Sequence, residues 1–256
     1  MKRNPSDTAT QIFDLIVIGA GVNGAGVARD AAMRGLKVLL LDKGDISSGT
    51  SAWSTRLIHG GLRYLEHGEL GLVRESLRER ERLLSIAPHL VRPLPMLIPV
   101  YAGARRGLLT IRAGMILYDL LSRGKSLKRH RMLSKAETLR RAPGLAAEDL
   151  RGAALYYDAQ VEYAERLVFE NALSAARHGA TVLTYSRVDN FIVEDAAARG
   201  VEFTDLINNT AHVARGRVLL NVSGPWVDLV LARGGRAGER LVCGTKGSHL
   251  VVDEFA

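Results

Sequence analysis

The chain has 256 residues, 47% of them hydrophobic, with 35 Lys+Arg against 27 Asp+Glu for a formal net charge of +8. That is enough apolar material for one large core or two smaller ones, and a single cysteine, Cys243, excludes an intramolecular disulfide framework and favours a reducing compartment. The positive surplus suits an anionic substrate, an anionic cofactor, an acidic lipid surface or nucleic acid, but aromatics make up only 5% of the chain and do not interleave with the basic residues, which speaks against nucleic acid.

The N-terminal stretch MKRNPSDTATQ is polar and has no apolar segment of the kind a secretory signal needs. No run approaches the roughly 18 apolar residues of a spanning helix, so a soluble or membrane-peripheral protein is expected. FDLIVIGAG, residues 13–21, reads as a buried parallel strand that ends in glycines. VNGAGVARDAAMRG, 22–35, reads as a helix stopped by Gly35, and KVLLLDKGD, 37–45, as a second buried strand ending at Asp42. Together they form one β-α-β unit. Residues 46–56, ISSGTSAWSTR, are small and polar and read as a loop or loose helix start.

Residues 69–86 read as a helix with Leu72, Val73, Leu77, Leu83 and Leu84 on its inner face. Pro88, Pro93, Pro95 and Pro99 make the next stretch an extended segment or edge strand. Residues 105–121 read as a helix whose shared apolar face is Leu109, Ala113, Ile116, Leu117, Leu120 and Leu121, followed by a basic run at 123–131. Ser134 with Glu137 three residues on is a capping box. A strand is expected at 153–157 and a long helix at about 161–178. Strands follow in TVLTYSRVDNFIVED and GVEFTD, then a strand, Gly-Pro turn and short helix in AHVARGRVLLNVSGPWVDLVLARG, and a last strand in GTKGSHLVVDEFA. The chain stops at Phe255-Ala256 with no closing element, which reads as truncation.

The chemistry starts at Gly19-Ala-Gly21-Val-Asn-Gly24. GxGxxG is a weak signal alone, but here it follows a strand, opens a helix and meets an acid, Asp42, 18 residues after Gly24. Gly19 permits the tight turn, Gly21 lets a pyrophosphate reach the backbone, and Gly24 lets the helix pack on the sheet, while free N–H groups at the helix start hold the phosphates. Asp42 is placed to accept from the adenosine ribose hydroxyls. Near an N-terminus, with a Ser/Thr/Gly-rich segment containing Thr50 and Ser51 behind it, the motif suits FAD. LLNVSGPWVD, 219–228, a strand running into Gly224, looks like the second backbone approach to FAD seen in such folds.

The chain resembles the N-terminal part of the FAD-dependent glycerol-3-phosphate dehydrogenases, within the glycine-oxidase-like (D-amino-acid-oxidase-type, GR2/DAO) flavoproteins. The resemblance is carried by DLIVIGAGVNGAG at 14–26, LIHGGLRYLE at 57–66, ERERLLSIAPHLV at 79–91, VSGPWVD at 222–228 and KGSHLVV at 246–252. The LIHGGLRYLE stretch is the most particular of these. Arg56 stands where the family often has lysine, and Trp53 sits in a segment usually made of small residues.

The resemblance implies an α/β protein: a Rossmann-like FAD-binding domain made of 12–92 and 153–240, and a partial α+β substrate domain made of 93–152 and 241–256. It implies FAD held by Gly19, Gly21, Gly24, Asp42, Thr50, Ser51, Arg56, Gly60, Gly61, Val188 and Gly224, with Gly60 and Gly61 baring backbone to a flat ring. Arg63 binds the substrate phosphate, and His59, Tyr64 and His249 are the candidates for proton transfer. The implied reaction oxidises sn-glycerol 3-phosphate to dihydroxyacetone phosphate, the carbinol hydride going to the flavin and the electrons on to a membrane quinone. A glycerol-3-phosphate oxidase, or an oxidase of amino or 2-hydroxy acids, is the alternative. The expected setting is cytoplasmic, peripheral on the inner face of the cell membrane, with the helix at 105–121 and the basic run behind it as the anchor on anionic lipid. A homo-oligomer is an open option, and nucleic acid is not an expected partner.

Overall fold

A computed structural model of the chain describes residues 4–122, 124, 126–235, 238, 240–244, 247 and 248. In chain order the elements are β1 (Ile12–Ile18), α1 (Val22–Met33), β2 (Val38–Leu41), β3 (Leu57–Ile58), α2 (Leu70–Ile86), β4 (Val91–Tyr101), α3 (Leu108–Leu121), β5 (Arg131–Leu133) and α4 (Lys135–Arg141). They continue with β6 (Leu150–Val161), α5 (Ala164–Arg177), β7 (Thr181–Leu183), β8 (Ser186–Glu194), β9 (Ala197–Asp205), β10 (Thr210–Asn221) and α6 (Val227–Arg233). Short 3-10 turns cover Pro5–Thr10, Leu62–His67 and Gly224–Trp226. The expected strand in GTKGSHLVVDEFA falls largely outside the described residues.

The chain divides into two compact units. The first comprises the residues up to Ser54 and those from Tyr163 to Gly247; the second comprises Thr55–Glu162 with Ser248. The first is a six-stranded sheet in the order β7-β2-β1-β10-β9-β8. β7, β2, β1 and β10 run parallel, and β10-β9-β8 is antiparallel. β2 is apolar throughout, and β1 is apolar except for Asp14, because both faces are covered. On one face α1 and α5 pack through small residues, Ala25, Ala28, Ala31 and Ala32 against Ala172 and Ala175, with Val17 and Leu40 beneath. On the other, Phe13, Ile16, Leu39, Leu41, Val201 and Phe203 form a second core.

The second unit is built around one long strand. β6 pairs antiparallel with β4 along one edge and, end to end, with β3 and β5 along the other. β4 is therefore an edge strand. Pro93, Pro95 and Pro99 fall at alternate residues opposite Ala159, Tyr157 and Ala153. The spacing aims all three missing N–H donors at the same backbone edge, the open one, so no ladder bond is lost. α2 and α3 cover the sheet through Val73, Leu77, Met115 and Tyr118, packed with Ala154 and Tyr156. The capping box forms as the sequence predicts: Ser134 accepts from the Glu137 N–H and Glu137 reaches back to the Ser134 N–H.

Three sequence expectations need correction. The compact units exchange at Ser54/Thr55 and Glu162/Tyr163, not near 92 and 153. The reason is pairing: β6 and β4 share one ladder from Val91↔Val161 to Tyr101↔Leu150, and β3 joins the same strand. On α2, Leu72 is 41% exposed while Arg80 is buried with Val73 and Leu77. On α3, most of the face read as the shared apolar one is turned outward, with Leu109, Ile116, Leu117 and Leu120 exposed, while Leu121 packs against the core and Met115 and Tyr118 are buried. The helix has two apolar faces, and periodicity does not choose between them. The buried one carries a hydroxyl that finds a partner inside.

Candidate functional site

In the first unit the glycine motif lies where β1 and β10, parallel neighbours, end together. β2 leaves β1 on one side and β10 lies on the other, so the carboxyl ends frame the crevice in which open α/β sheets bind ligands. Gly19 has φ +109°, and a Cβ there would meet the Val222 carbonyl oxygen at 2.8 Å and Ser223 Cα at 2.9 Å. A Cβ on Gly24 would lie 1.8 Å from the Gly19 carbonyl oxygen. Those two glycines are demanded by the turn and by close helix-strand packing. Gly21 is different. It is the N-cap of the 12-residue α1, and its nearest neighbour to a Cβ is the Ser51 hydroxyl at 3.3 Å. The protein leaves room there, beside a helix start whose first N–H groups have no partner within the helix. A bare backbone at that point suits the approach of an anionic group, and a dinucleotide diphosphate fits these residues.

Asp42 braces the turn. Its Oδ2 accepts from the Ala20 N–H at 2.6 Å and its Oδ1 from the Gly44 N–H at 2.8 Å. Each oxygen keeps a lone pair, so the carboxylate can still take a ribose hydroxyl. Ser51 Oγ accepts from the Val22 N–H at 3.0 Å, which ties the 46–54 loop to the start of α1. Thr50 is exposed in the same loop. Trp226 covers its other side: a Cβ on Gly49 would meet the Trp226 ring at 3.0 Å, and Lys43 Nζ lies 4.3 Å above that ring. Gly224 has φ +58° and nothing near its Cβ direction. Val188 is buried in the core of β8, and its carbonyl accepts from Arg233 Nη1 at 3.2 Å.

The second unit holds a cavity of about 560 Å³. His59, Arg63, Tyr64 and His67 line it, with Tyr156 and Asp158 from β6. LIHGGLRYLE supplies this wall because Gly61, at φ +71°, turns the chain from β3 into the 3-10 turn Leu62–His67. Arg63 and Tyr64 are exposed there. Gly60 is bare for a different reason than the sequence suggests: its Cβ direction is filled by Leu77 Cδ2 at 2.2 Å and the Tyr118 hydroxyl at 2.3 Å. Arg56, at φ +61°, donates from Nη1 to the Glu162 carbonyl at 2.7 Å. His249, with Lys246, lies outside the described residues.

Behind this wall sits a cluster the sequence reading missed. Arg80 Nη1 donates to Asp158 Oδ1 at 2.6 Å and Tyr118 OH to the same oxygen at 2.9 Å. Burial, reinforced by the Asp158 charge, pushes the Tyr118 hydroxyl far above the ordinary tyrosine range. The same two causes push Tyr156 up to about 12. A signal for Arg80 was present: Val73, Leu77 and Arg80 repeat at helical spacing, so a cation occupies an inner position. Asp158 is likewise the one acid within the apolar stretch ALYYDAQV. No group of three or more His, Cys, Asp or Glu capable of holding a metal occurs among the described residues.

Comparisons with known proteins agree with this geometry. The family described as FAD dependent oxidoreductase matches residues 14–256. The glycerol-3-phosphate dehydrogenase of Synechocystis is 50% identical over 264 residues, covering 99% of this chain and 48% of that protein. Glycerol-3-phosphate dehydrogenase 2 of Mycobacterium tuberculosis is 44% identical over 244 residues, covering 95% of this chain and 41% of that protein. Among solved structures, the Bacillus halodurans glycerol-3-phosphate dehydrogenase complexed with FAD matches with TM-score 0.68 and 29% identity, over 89% of this chain and 37% of that one. The L-proline dehydrogenase of P. horikoshii matches with TM-score 0.70 at 19% identity, a likeness of fold alone. The chain spans less than half the length of these two dehydrogenase relatives. A parallel sheet with its glycine turn at the crevice, matched along nearly the whole chain, makes this protein a member of the FAD dependent oxidoreductase family.

Proposed function

We propose that this chain is the cofactor-holding part of an enzyme that oxidises sn-glycerol 3-phosphate to dihydroxyacetone phosphate and passes the electrons to a membrane quinone. The observation that carries the reading is the meeting of His59, Arg63 and Tyr64, from the most family-particular motif, on the wall of one cavity. FAD, when bound, supplies the hydride acceptor. The diphosphate is assigned to the backbone at Gly19, Gly21 and Gly24, the ribose to Asp42, and further contacts to Thr50, Ser51, Arg56, Gly60, Gly61, Val188 and Gly224. Arg63 is a permanently charged planar donor that holds the phosphate and moves no proton. His59, Tyr64 and His249 are the candidates to receive the hydroxyl proton.

Delivery of electrons to a quinone needs contact with the bilayer, and α3 offers a surface for it. Leu109, Ile116, Leu117 and Leu120 are exposed on one helix, with Lys128 and Arg129 exposed just beyond its end. Apolar side chains enter the interface and the cations meet anionic lipid. No helix among the described residues is long and apolar enough to cross a membrane.

The test has four readings. The purified chain is yellow with a flavin spectrum, and a colourless protein that takes up no added FAD defeats the proposal. In a polypeptide containing this chain, sn-glycerol 3-phosphate bleaches the flavin anaerobically while glycine, proline and lactate do not, and Arg63→Ala weakens that substrate by about 2 kcal/mol, roughly 30-fold. Quinone reduction without matching peroxide fixes the acceptor; stoichiometric peroxide makes the protein an oxidase. Sedimentation with anionic vesicles is lost in high salt and on charge reversal at Lys128 and Arg129.

A further inference from the structure

The second unit buries ions that oxidation of a substrate does not by itself require. Arg80 is 1% exposed and Asp158 2%. A buried ion pair seldom adds stability over apolar residues of the same volume, so its presence calls for another reason. The arrangement around one atom supplies it. Asp158 Oδ1 accepts from Arg80 Nη1 at 2.6 Å, from Tyr118 OH at 2.9 Å and from the Gly60 N–H at 3.1 Å. Arg80 Nη1 also donates to the Tyr157 carbonyl at 3.2 Å. Donors from α2, α3 and the loop after β3 thus converge on a single carboxylate oxygen of β6. Two of them come from the scaffold. The third is the backbone of the motif that lines the cavity.

The next residue carries the effect outward. Gly61, in the left-handed region, donates its N–H to His59 Nδ1 at 3.0 Å. A backbone N–H can only donate, so Nδ1 is the acceptor, and the neutral ring carries its proton on Nε2. A base needs a free lone pair, and the one on Nδ1 is already engaged. We infer that the Arg80–Asp158–Tyr118 cluster is a positioning device: through Gly60 it fixes the loop His59–Gly61, and through Gly61 it holds His59 as an Nε2–H donor, so that His59 hydrogen-bonds a substrate oxygen and does not take its proton. The identity of that oxygen rests on the proposed reading of the cavity; the tautomer does not. The proton-accepting role then passes to Tyr64 or to His249.

The chain contains its own control. His178 Nδ1 lies 2.8 Å from the Ser174 carbonyl oxygen, an acceptor only, so its neutral ring carries the proton on Nδ1. In the FAD-loaded, 15N-histidine-labelled chain, long-range 1H–15N correlation spectra above the imidazole titration range separate the two patterns, with His59→Gln and His178→Gln assigning the signals. The expected result is Nε2–H at His59 and Nδ1–H at His178, the His59 preference being about tenfold, the worth of one net hydrogen bond. Tyr118→Phe keeps the ring and its packing, removes one of the three donors, and lowers that preference by about threefold or more, part of the same hydrogen-bond increment. Asp158→Asn, which strands Arg80, is the harsher companion and is read only where its spectrum shows a folded chain. A His59 proton on Nδ1, or a preference unchanged by Tyr118→Phe, overturns the inference. Titration with sn-glycerol 3-phosphate is a separate measurement: no binding by a chain with the expected tautomer defeats the substrate assignment and leaves the positioning device standing.

Discussion

The two units make their sites in opposite ways. In the first, the crevice is made of main chain: Gly19 and Gly24 are bare because a Cβ would strike backbone, and Asp42 spends both oxygens on backbone amides. In the second, the cavity is made of side chains, and its loop is held by a charged cluster drawn from residues 80, 118 and 158. The contrast teaches that a main-chain site tolerates ordinary cores behind it, whereas a side-chain site needs its own buried scaffold of polar groups.

The comparison can be broken at its strongest point first. Asp158→Ala leaves Arg80 as an unpaired buried cation and is expected to cost about 3–5 kcal/mol, seen in urea unfolding as a large drop in midpoint. A cost under 1 kcal/mol would mean the second unit does not depend on its ionic scaffold. Next comes the main-chain site. Gly24→Ala forces a Cβ against the Gly19 carbonyl and is expected to cost about 1–3 kcal/mol, with flavin retention lost in the same preparation. Retention of bound FAD at normal stability would show that the turn can shift.

A smaller effect comes from pH. Tyr156 is raised from 10.0 to about 12 in the folded chain. A raised tyrosine favours the neutral form when folded, so its contribution is whole below about pH 10 and falls as pH rises toward 12. After discount for partial screening the loss is about 1 kcal/mol, and Tyr156→Phe should flatten the alkaline limb of the stability curve in circular dichroism. The first unit carries the opposite tendency at Asp189. Burial raises it, but the Thr204 and Arg187 hydrogen bonds outweigh burial and hold its carboxyl below the usual range. Its contribution is present above the unfolded carboxylate range and is lost as pH falls through the folded one. The smallest effect is expected at Leu109, which is 81% exposed: Leu109→Gln should change stability by no more than about 0.5 kcal/mol while weakening vesicle binding. A clear destabilisation would show that this face of α3 is covered.

Legibility follows the same division. The β-α-β start, the edge character of β4 and the Ser134–Glu137 capping box are all readable from the sequence, because each rests on neighbours within a few positions. The faces of α2 and α3 are not. Leu72 and Arg80 compete for the inside of α2, and both faces of α3 are apolar, so local periodicity leaves the choice to the partner. That partner is Asp158, 40 residues beyond Tyr118 and 78 beyond Arg80. His67, lining the cavity beside Arg63 and Tyr64, stands one residue past LIHGGLRYLE and has no local feature to set it apart.

What the sequence alone determined is the cradle: the order strand, glycines, helix, strand, acid, a pattern set by residues within one β-α-β unit, although the crowding at Gly19 comes from Val222 and Ser223. What only the tertiary structure decided is where the chain changes units and how the second site is held. The first depends on β6 choosing β3, β4 and β5 as neighbours, and the second on one carboxylate oxygen gathering three donors. Both are long-range pairings, and a buried charge declares its partner only when the chain has brought the two together.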